Sequence, residues 1–534
     1  MKKIIKRNQS LFFIHVILCA IAALIQVGVA LVYRQITEVA MSGDVRRLVL
    51  VGIFAFFYIL LNTMSDFIPR RSKAVLVQTI MNQLRERLSQ KIIRMNPVIF
   101  LKNKKNEYLS MFVNEMKVVE SEFLKPGLGL ILSVFTFFFS LLFTLKLNTS
   151  FSLIMLLLAF SPLLAPYFAK RILSNRRKSV VVEQDRTLGL FDQLLAGYMT
   201  LRVGRAFPKY LKIFNKSSEQ LTKKSLNFET LQGLTYAISF GLGDLAYSGT
   251  WIIGGFFVAT QRISIPDLIA MTTLMSTIAG PLQYFSTSVT DILASKKVAD
   301  DLLCFLDNTA DDEPERPLEL AEPIRSISVD NLHFYHGNRL IFNGFTQTFE
   351  RGKKYAITGA SGSGKSTLLN ILAGIYPVDN HQVLVNDQEM NQLSRDSLYQ
   401  KVALVQQKTA IFQTSIAYNI SSFSEYELEK IIDVLERSGL GKRFDDNQLT
   451  DTQDNTWINF LSGGELRRLE IARAIFKDSD VILFDEPTSG LDSENERIIR
   501  DLICSLTDKV IIVVTHSTSQ EFLSSFDERI QLNT

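Results

Sequence analysis

Cysteine is scarce. Three residues, Cys19, Cys304 and Cys504, stand far apart among 534, with no CxxC pair and no histidine partner expected for any of them. Neither a disulfide framework nor a thiolate metal site follows from such a pattern. Charge of one sign is scarce too: the formal net charge is only +4. The basic residues gather beside apolar runs instead of forming a basic face interleaved with aromatics, so nucleic acid is not an expected partner. What abounds is apolar, 47% of the chain. Together with a positive mean hydropathy of +0.14 that is too apolar for an ordinary soluble protein, and the length allows two or three domains.

The apolar residues lie in six stretches, Leu11 to Tyr33, Leu48 to Met64, Gly127 to Leu147, Phe151 to Phe168, Thr235 to Ala259 and Ile265 to Val289. Each approaches the ~20 residues that a helix needs to cross ~30 Å of hydrocarbon. The first follows Lys2, Lys3, Lys6 and Arg7 as a signal peptide would, but Tyr33-Arg34-Gln35 is no small-residue cleavage site, so it is read as a membrane helix. Residues 1–10, 65–126 and 169–233 together hold 29 Lys and Arg, against 5 in 34–47, 146–150 and 260–264. The positive-inside rule then predicts a multi-pass protein of the cell membrane with both termini cytoplasmic. The two long inside segments contain few helix breakers, so helices two to five should run well beyond the bilayer. Contact of their charges with membrane lipids is the plainer alternative.

Between Thr309 and Arg325 the chain reads TADDEPERPLELAEPIR, acidic with three prolines, the composition of an exposed connector. It divides a membrane domain, 1–308, from a domain at 326–534, in which β-rich runs alternate with helical ones as in an α/β sheet. There the run Lys354 to Thr358 leads into GASGSGKST, the GxxxxGK[ST] pattern in its required place between strand and helix. Gly359, Ser361, Gly362, Ser363, Gly364, Lys365, Ser366 and Thr367 form the expected phosphate cradle. Its glycines let backbone amides converge on phosphate, Lys365 reaches the β and γ phosphates of ATP, and the Ser366 hydroxyl ligates Mg²⁺. The run VILFDEP, Val481 to Pro487, ends a buried strand in two carboxylates, Asp485 placed toward the metal and Glu486 toward an attacking water. The fold class predicted is a polytopic α-helical membrane domain joined to an α/β P-loop NTPase domain.

With these motifs in this order, residues 325–534 resemble the nucleotide-binding domain of ATP-binding cassette (ABC) transporters, and residues 1–300 resemble the six-helix membrane half of an ABC exporter. The resemblance implies roles for further residues. LSGGE, with Ser462, Gly463 and Gly464, matches the signature loop, Gln407 the glutamine loop that helps hold metal and water, and Ser489 to Asp492 the D-loop. His516 after VIIVVT matches the switch histidine, and Tyr335, adjacent to the alternative Phe334, matches the adenine-stacking aromatic. Family geometry places the signature loop of one domain over the cradle of another, so a chain with one of each should pair with a second copy or with a homologous half-transporter. In that pair the Ser462 and Gly464 amides would donate to the γ-phosphate. Residues 103–108 and 193–201 resemble the helices that couple membrane and nucleotide domains.

Two departures stand out: Glu465 replaces the usual glutamine, and QDNTWIN at 453–459 replaces the usual TxVGExG. The implied activity is ATP-driven export of a peptide, amphipathic drug or lipid, with a membrane sensor using the same ATPase as the alternative from another class. No peptidase-like segment precedes the first helix, so leader cleavage by this chain is not expected. Asp244, within the fifth apolar stretch, either packs helices beside Gly241, Gly243 and Gly249 with His15 or Gln26 as candidate partners, or lines the cargo cavity.

Overall fold

The computed structural model describes residues 7–532 apart from 103–104, 315, 338, 408–409, 442, 452–460, 489–492 and 517–519. The chain divides into two compact units, Met1–Ile93 with Lys104–Thr309, and Arg94–Asn103 with Ala310–Thr534.

The first unit is helical. α1 (Gln9–Ser42) ends at Gly43, whose φ of 74° lies where a side chain would be strained, and α2 (Val45–Arg94) follows directly. After the short α3 (Pro97–Lys102) and α4 (Lys105–Ser110), π-helical turns at Met111–Glu115 and Val119–Leu124 lead into α5 (Lys125–Leu147). Next come α6 (Thr149–Ala159), α7 (Leu164–Ala196), α8 (Tyr198–Val203), α9 (Phe207–Ala259) and α10 (Ile265–Asp307). The 50 residues of α2 and 53 of α9 span about 75 and 80 Å at 1.5 Å per residue, more than twice the ~30 Å of a hydrocarbon core.

Among the described residues five helical stretches are long and apolar enough to cross a membrane: Gln9–Ser42, Val45–Arg94, Glu107–Leu147, Thr149–Ala196 and Ile265–Leu293. The predicted fifth stretch forms the C-terminal part of α9 but is not among them. Gly241, Gly243, Asp244, Ser248, Gly249 and Thr250 dilute its apolar residues, and small polar residues are what close helix packing uses. A Cβ added at Gly243 would meet Gln283 and Pro162 within 3.7 Å, and one at Gly249 would meet Leu158 at 3.4 Å, whereas Gly241 faces open space.

Polar side chains pin the helices where apolar surfaces give no direction. Tyr58 donates to the Ile25 carbonyl at 2.8 Å, and the Ser140 and Thr277 hydroxyls meet at 2.7 Å. Glu183 on α7 is buried against α9, with Lys224 at 2.7 Å and the Ser217 hydroxyl at 3.4 Å. His15 does not serve Asp244: its Nε2 lies 3.4 Å from the Leu128 carbonyl and 3.6 Å from Cys19 Sγ. Cys19 therefore has the histidine neighbour not expected for it, one helical turn away. Among the described residues Asp244 makes no hydrogen bond or ion pair and stands exposed on the single chain.

In the second unit β1 (Ser326–His336), β2 (Arg339–Glu350), β4 (Val383–Val385) and β5 (Gln388–Glu389) build an antiparallel sheet in the order β2-β1-β4-β5. A second sheet has the order β6-β7-β8-β3-β9, from β3 (Lys354–Gly359), β6 (Val402–Val405), β7 (Val481–Asp485), β8 (Val510–Val514) and β9 (Glu528–Leu532). Its strands pair in parallel; β6, β7 and β8 are near-continuous apolar runs, as burial on both faces demands, whereas the edge strand β9 buries only Ile530 and Leu532. One face packs α11 (Lys365–Leu372), through Leu368, Leu369 and Leu372, toward the antiparallel sheet. The other packs α13 (Ile416–Ser421), α14 (Leu428–Arg437), α16 (Gly463–Phe476) and α17 (Ser493–Ser505); α12 (Arg395–Lys401) and α15 (Asp446–Thr450) are short connectors.

The acidic stretch before β1 is not an exposed connector throughout. Leu320 and Ile324 are buried in the core of this unit, the Leu320 N–H donates to Ser397 at 3.1 Å, and Glu313 pairs with the buried Arg395 at 3.1 Å. Residues 94–96 join it through the Glu313 N–H to the Arg94 carbonyl and the Asn96 N–H to the Asp311 carbonyl, both 2.9 Å.

Candidate nucleotide site

The C-terminal ends of parallel strands are where an α/β sheet presents loops and helix N-termini to a ligand. β3 ends in Gly359, β7 in Asp485, and β8 one residue before Thr515-His516. Because β7 and β8 are neighbours with Asp485 opposite Val514, and β8 is flanked by β3, three sequence-distant motifs arrive at one edge of the sheet.

After β3 the backbone turns through Gly359, Gly362 and Gly364 at φ 154°, 83° and 93°. At Gly364 the requirement is also steric, since a Cβ would sit 2.5 Å from Ile341 and 3.0 Å from Phe342. Lys365 is buried and donates to the carbonyls of Gly359 and Ala360 at 3.0 and 2.8 Å, so its ammonium is held within the loop. Ser363 is buried as well, and its hydroxyl has no hydrogen-bond partner among the described residues. An orphaned hydroxyl beside a helix N-terminus fits a loop completed by an anionic ligand. Ser361 and Gly362 are exposed at the loop tip, while Ser366 and Thr367 open α11.

The Ser366 hydroxyl lies close enough to Asp485 to favour its ionised form. Burial pushes the Asp485 carboxyl above its ordinary range, with the adjacent Glu486 adding to the rise; Ser366, Arg467 and Lys365 oppose it. Hydroxyl, carboxylate and the Gln407 amide are hard oxygen donors, the set that suits Mg²⁺.

Glu486 itself has φ 52°, uncommon for a residue with a side chain, and its N–H donates to the Val514 carbonyl at 3.0 Å. The turn swings its carboxylate to a point where Gln407 Nε2 reaches Oε2 at 3.1 Å and His516 Nε2 reaches Oε1 at 3.1 Å. Gln407, Glu486 and His516 are thus brought together from three loops. Tyr335 is 61% exposed on β1. Phe334 turns inward onto the core, its ring 5.6 Å from that of Tyr376, so of the adjacent pair only Tyr335 presents a free face.

Ser462 caps α16. Its hydroxyl accepts the Glu465 N–H at 3.2 Å, and Glu465 accepts the Ser462 N–H at 2.8 Å, a reciprocal capping box. The Ser462 amide expected to face a γ-phosphate is therefore spent on Glu465, leaving the Gly463 and Gly464 amides and the Ser462 O–H proton as donors in this loop. Asp492, with the rest of the 489–492 stretch, and residues 453–459 lie outside the described residues.

Two residues of the site gave no motif. Arg467, buried on α16, donates to the carbonyls of Gln406, Asp485 and, at 3.4 Å, Pro487. Glu470, one turn on, accepts the Gln406 N–H at 3.1 Å and lies 3.5 Å from Arg467. Together they tie the signature helix to the glutamine loop and the end of β7. Their signal was helical phase: Arg467 and Glu470 share a face with the buried Ile471 and Ala474, an unusual place for charge unless it is fully hydrogen-bonded.

An apolar helical unit followed by an α/β unit with a glycine-rich strand-to-helix loop and two adjacent carboxylates at a strand end has the make-up of a membrane-bound nucleotide hydrolase. Comparison with known proteins agrees: the family model for the ABC transporter transmembrane region matches residues 12–282 and the model described as ABC transporter matches 342–489. The chain belongs to the ABC transporter family; its nucleotide domain is an ATPase whose hydrolysis is coupled to transport. Among similar sequences, an ATP-dependent lipid A-core flippase of Haemophilus influenzae is 25% identical over 523 residues, covering 93% of this chain and 88% of that protein. One of Burkholderia pseudomallei is 26% identical over 473, covering 85% and 77%. A solved bacterial Atm1-family ABC exporter with ATP bound matches the fold with a TM-score of 0.79 at 17% identity, over 100% of this chain and 94% of that one. One membrane unit and one ATPase unit make a half-transporter, an architecture that implies a dimer.

Proposed function

We propose that two copies of this chain form an exporter in which ATP closes the nucleotide domains head to tail, turns the membrane halves outward, and on hydrolysis releases them to reset. The observation that carries the reading is the convergence of Gln407 and His516 on Glu486 at 3.1 Å each, a complete hydrolytic set within one chain. A chain that is whole in this respect needs no complementary partner, which favours the homodimer. In each composite site the cradle Gly359 to Thr367 would hold the phosphates, Tyr335 would stack on adenine, and Ser366, Asp485 and Gln407 would hold Mg²⁺, which neutralises phosphate charge when bound. Glu486 orients a water and accepts its proton; His516 fixes the carboxylate. The loop Ser462 to Gly464 of the second copy closes the site, with Asp492 beside it. The Lys and Arg distribution favours a cytoplasmic position for both termini.

For cargo, the flippase names of the relatives favour a lipid, and the unpaired Asp244 favours a basic group upon it: an amine-bearing amphiphile. An ionised carboxylate within the membrane costs ~2.5 to 3.5 kcal/mol unless it meets water or a partner. Measured as ATPase stimulation in lipid, such amphiphiles should outperform uncharged ones, and Asp244→Asn should lose that stimulation while folding normally. Unchanged stimulation, or a variant that fails to fold, would assign Asp244 to helix packing.

A further inference from the structure

The glutamate that replaces glutamine in the signature loop poses a charge problem. Glu465 sits in the first turn of α16, the turn that Gly463 and Gly464 open. If that loop closes over a triphosphate, as proposed above and on which this inference rests, a carboxylate there repels the anion it should help to hold. The structure answers with a cation from a different segment: Arg443, between α14 and α15, places Nε 2.6 Å from Glu465 Oε1, while Oε2 takes the Ser462 N–H. Glu465 is largely buried in this arrangement and Arg443 is about half exposed.

We propose that Arg443 is a positioning residue of the ATPase, neutralising Glu465 and holding its carboxylate on the Ser462 amide so that the signature loop can approach an anionic nucleotide. The pair does two jobs that glutamine would do alone: it supplies the acceptor that orders the loop, and it leaves the loop without net negative charge. Arg443 touches neither nucleotide nor reacting atoms in this scheme; it acts through Glu465. The carboxyl bears the marks of both partners, since burial pushes its pKa up but the Ser462 and Arg443 contacts bring it below the ordinary range.

The test is steady-state ATP hydrolysis by the full chain in lipid, with KM and kcat separated. Arg443→Gln should raise KM for ATP by at least about tenfold, the effect of an uncompensated like charge at an interface. Its kcat should stay within about twofold, because the hydrolytic groups are untouched. Adding Glu465→Gln to Arg443→Gln removes the bare charge while keeping an acceptor for the Ser462 amide, and should return KM to near its original value. Both variants lack the ion pair, so a purely structural contribution would impair them alike. A wild-type KM in Arg443→Gln, or a double variant as impaired as the single, would overturn the proposal. Ser462→Arg is measured beside them. If it hydrolyses ATP normally, the shared-site reading falls and takes this inference with it; if it is inactive and Arg443→Gln is unaffected, only the role of Arg443 falls.

Discussion

Glu486→Gln is expected to bind ATP and hydrolyse it at least ~100-fold more slowly, the lower range of what a positioned general base contributes. The replacement has the same shape, its amide oxygen still accepts from Gln407 or His516, and the backbone hydrogen bond to Val514 that fixes the left-handed turn is unchanged. What is lost is the negative charge that orients water and takes its proton. Phosphate cradle and metal donors remain, so ATP should stay trapped between closed nucleotide domains. Hydrolysis and retained nucleotide are measured together after washing; near-normal turnover would remove Glu486 from the role given to it.

An effect as large is expected from separating the cradle and the signature loop onto different chains. In a mixed dimer, one copy carries Lys365→Ala and the other Ser462→Arg. With sites shared between copies, both defects fall in one composite site and the second site stays whole, so nucleotide still binds there and substantial hydrolysis survives. In the homodimer of either variant both sites are defective, and hydrolysis should fall by ~100-fold or more, as when transition-state charge stabilisation is removed. Were each chain to build its own site, the mixed dimer would be as inactive as its parents. Lys365 is suited to this test because its ammonium lies inside the loop, on the Gly359 and Ala360 carbonyls, and Ser462 because it stands exposed at the tip of α16.

The legible parts of the site were those in which a local pattern dictates local geometry. A strand running into glycines and then into a helix leaves the backbone little choice, and Gly359, Gly362 and Gly364 adopt the positive φ values that only glycine takes freely. The helical half was legible as apolar runs, though its fifth stretch was not purely lipid-facing: glycines packed on Gln283, Pro162 and Leu158 belong to helix contact. Illegible were properties created by non-local packing. No pattern announces that Glu486 turns left-handed, nor that Gln407, 79 positions away, reaches it, because both depend on β6 and β8 flanking β7. Phe334 and Tyr335 could be told apart only once Tyr376 was seen covering one of them. The role of Arg443 was invisible for the same reason, since 22 residues separate it from Glu465 with no repeat to link them.

The most direct test of the whole account is movement of cargo. The chain is reconstituted into sealed vesicles with its nucleotide domains outward, and an amine-bearing amphiphile is followed across the bilayer with and without ATP. The account predicts ATP-dependent accumulation on the side opposite the nucleotide domains, abolished by Glu486→Gln. Vigorous ATP hydrolysis with no cargo moved, for any amphiphile that stimulates it, would contradict export and leave a membrane ATPase that signals instead of transporting.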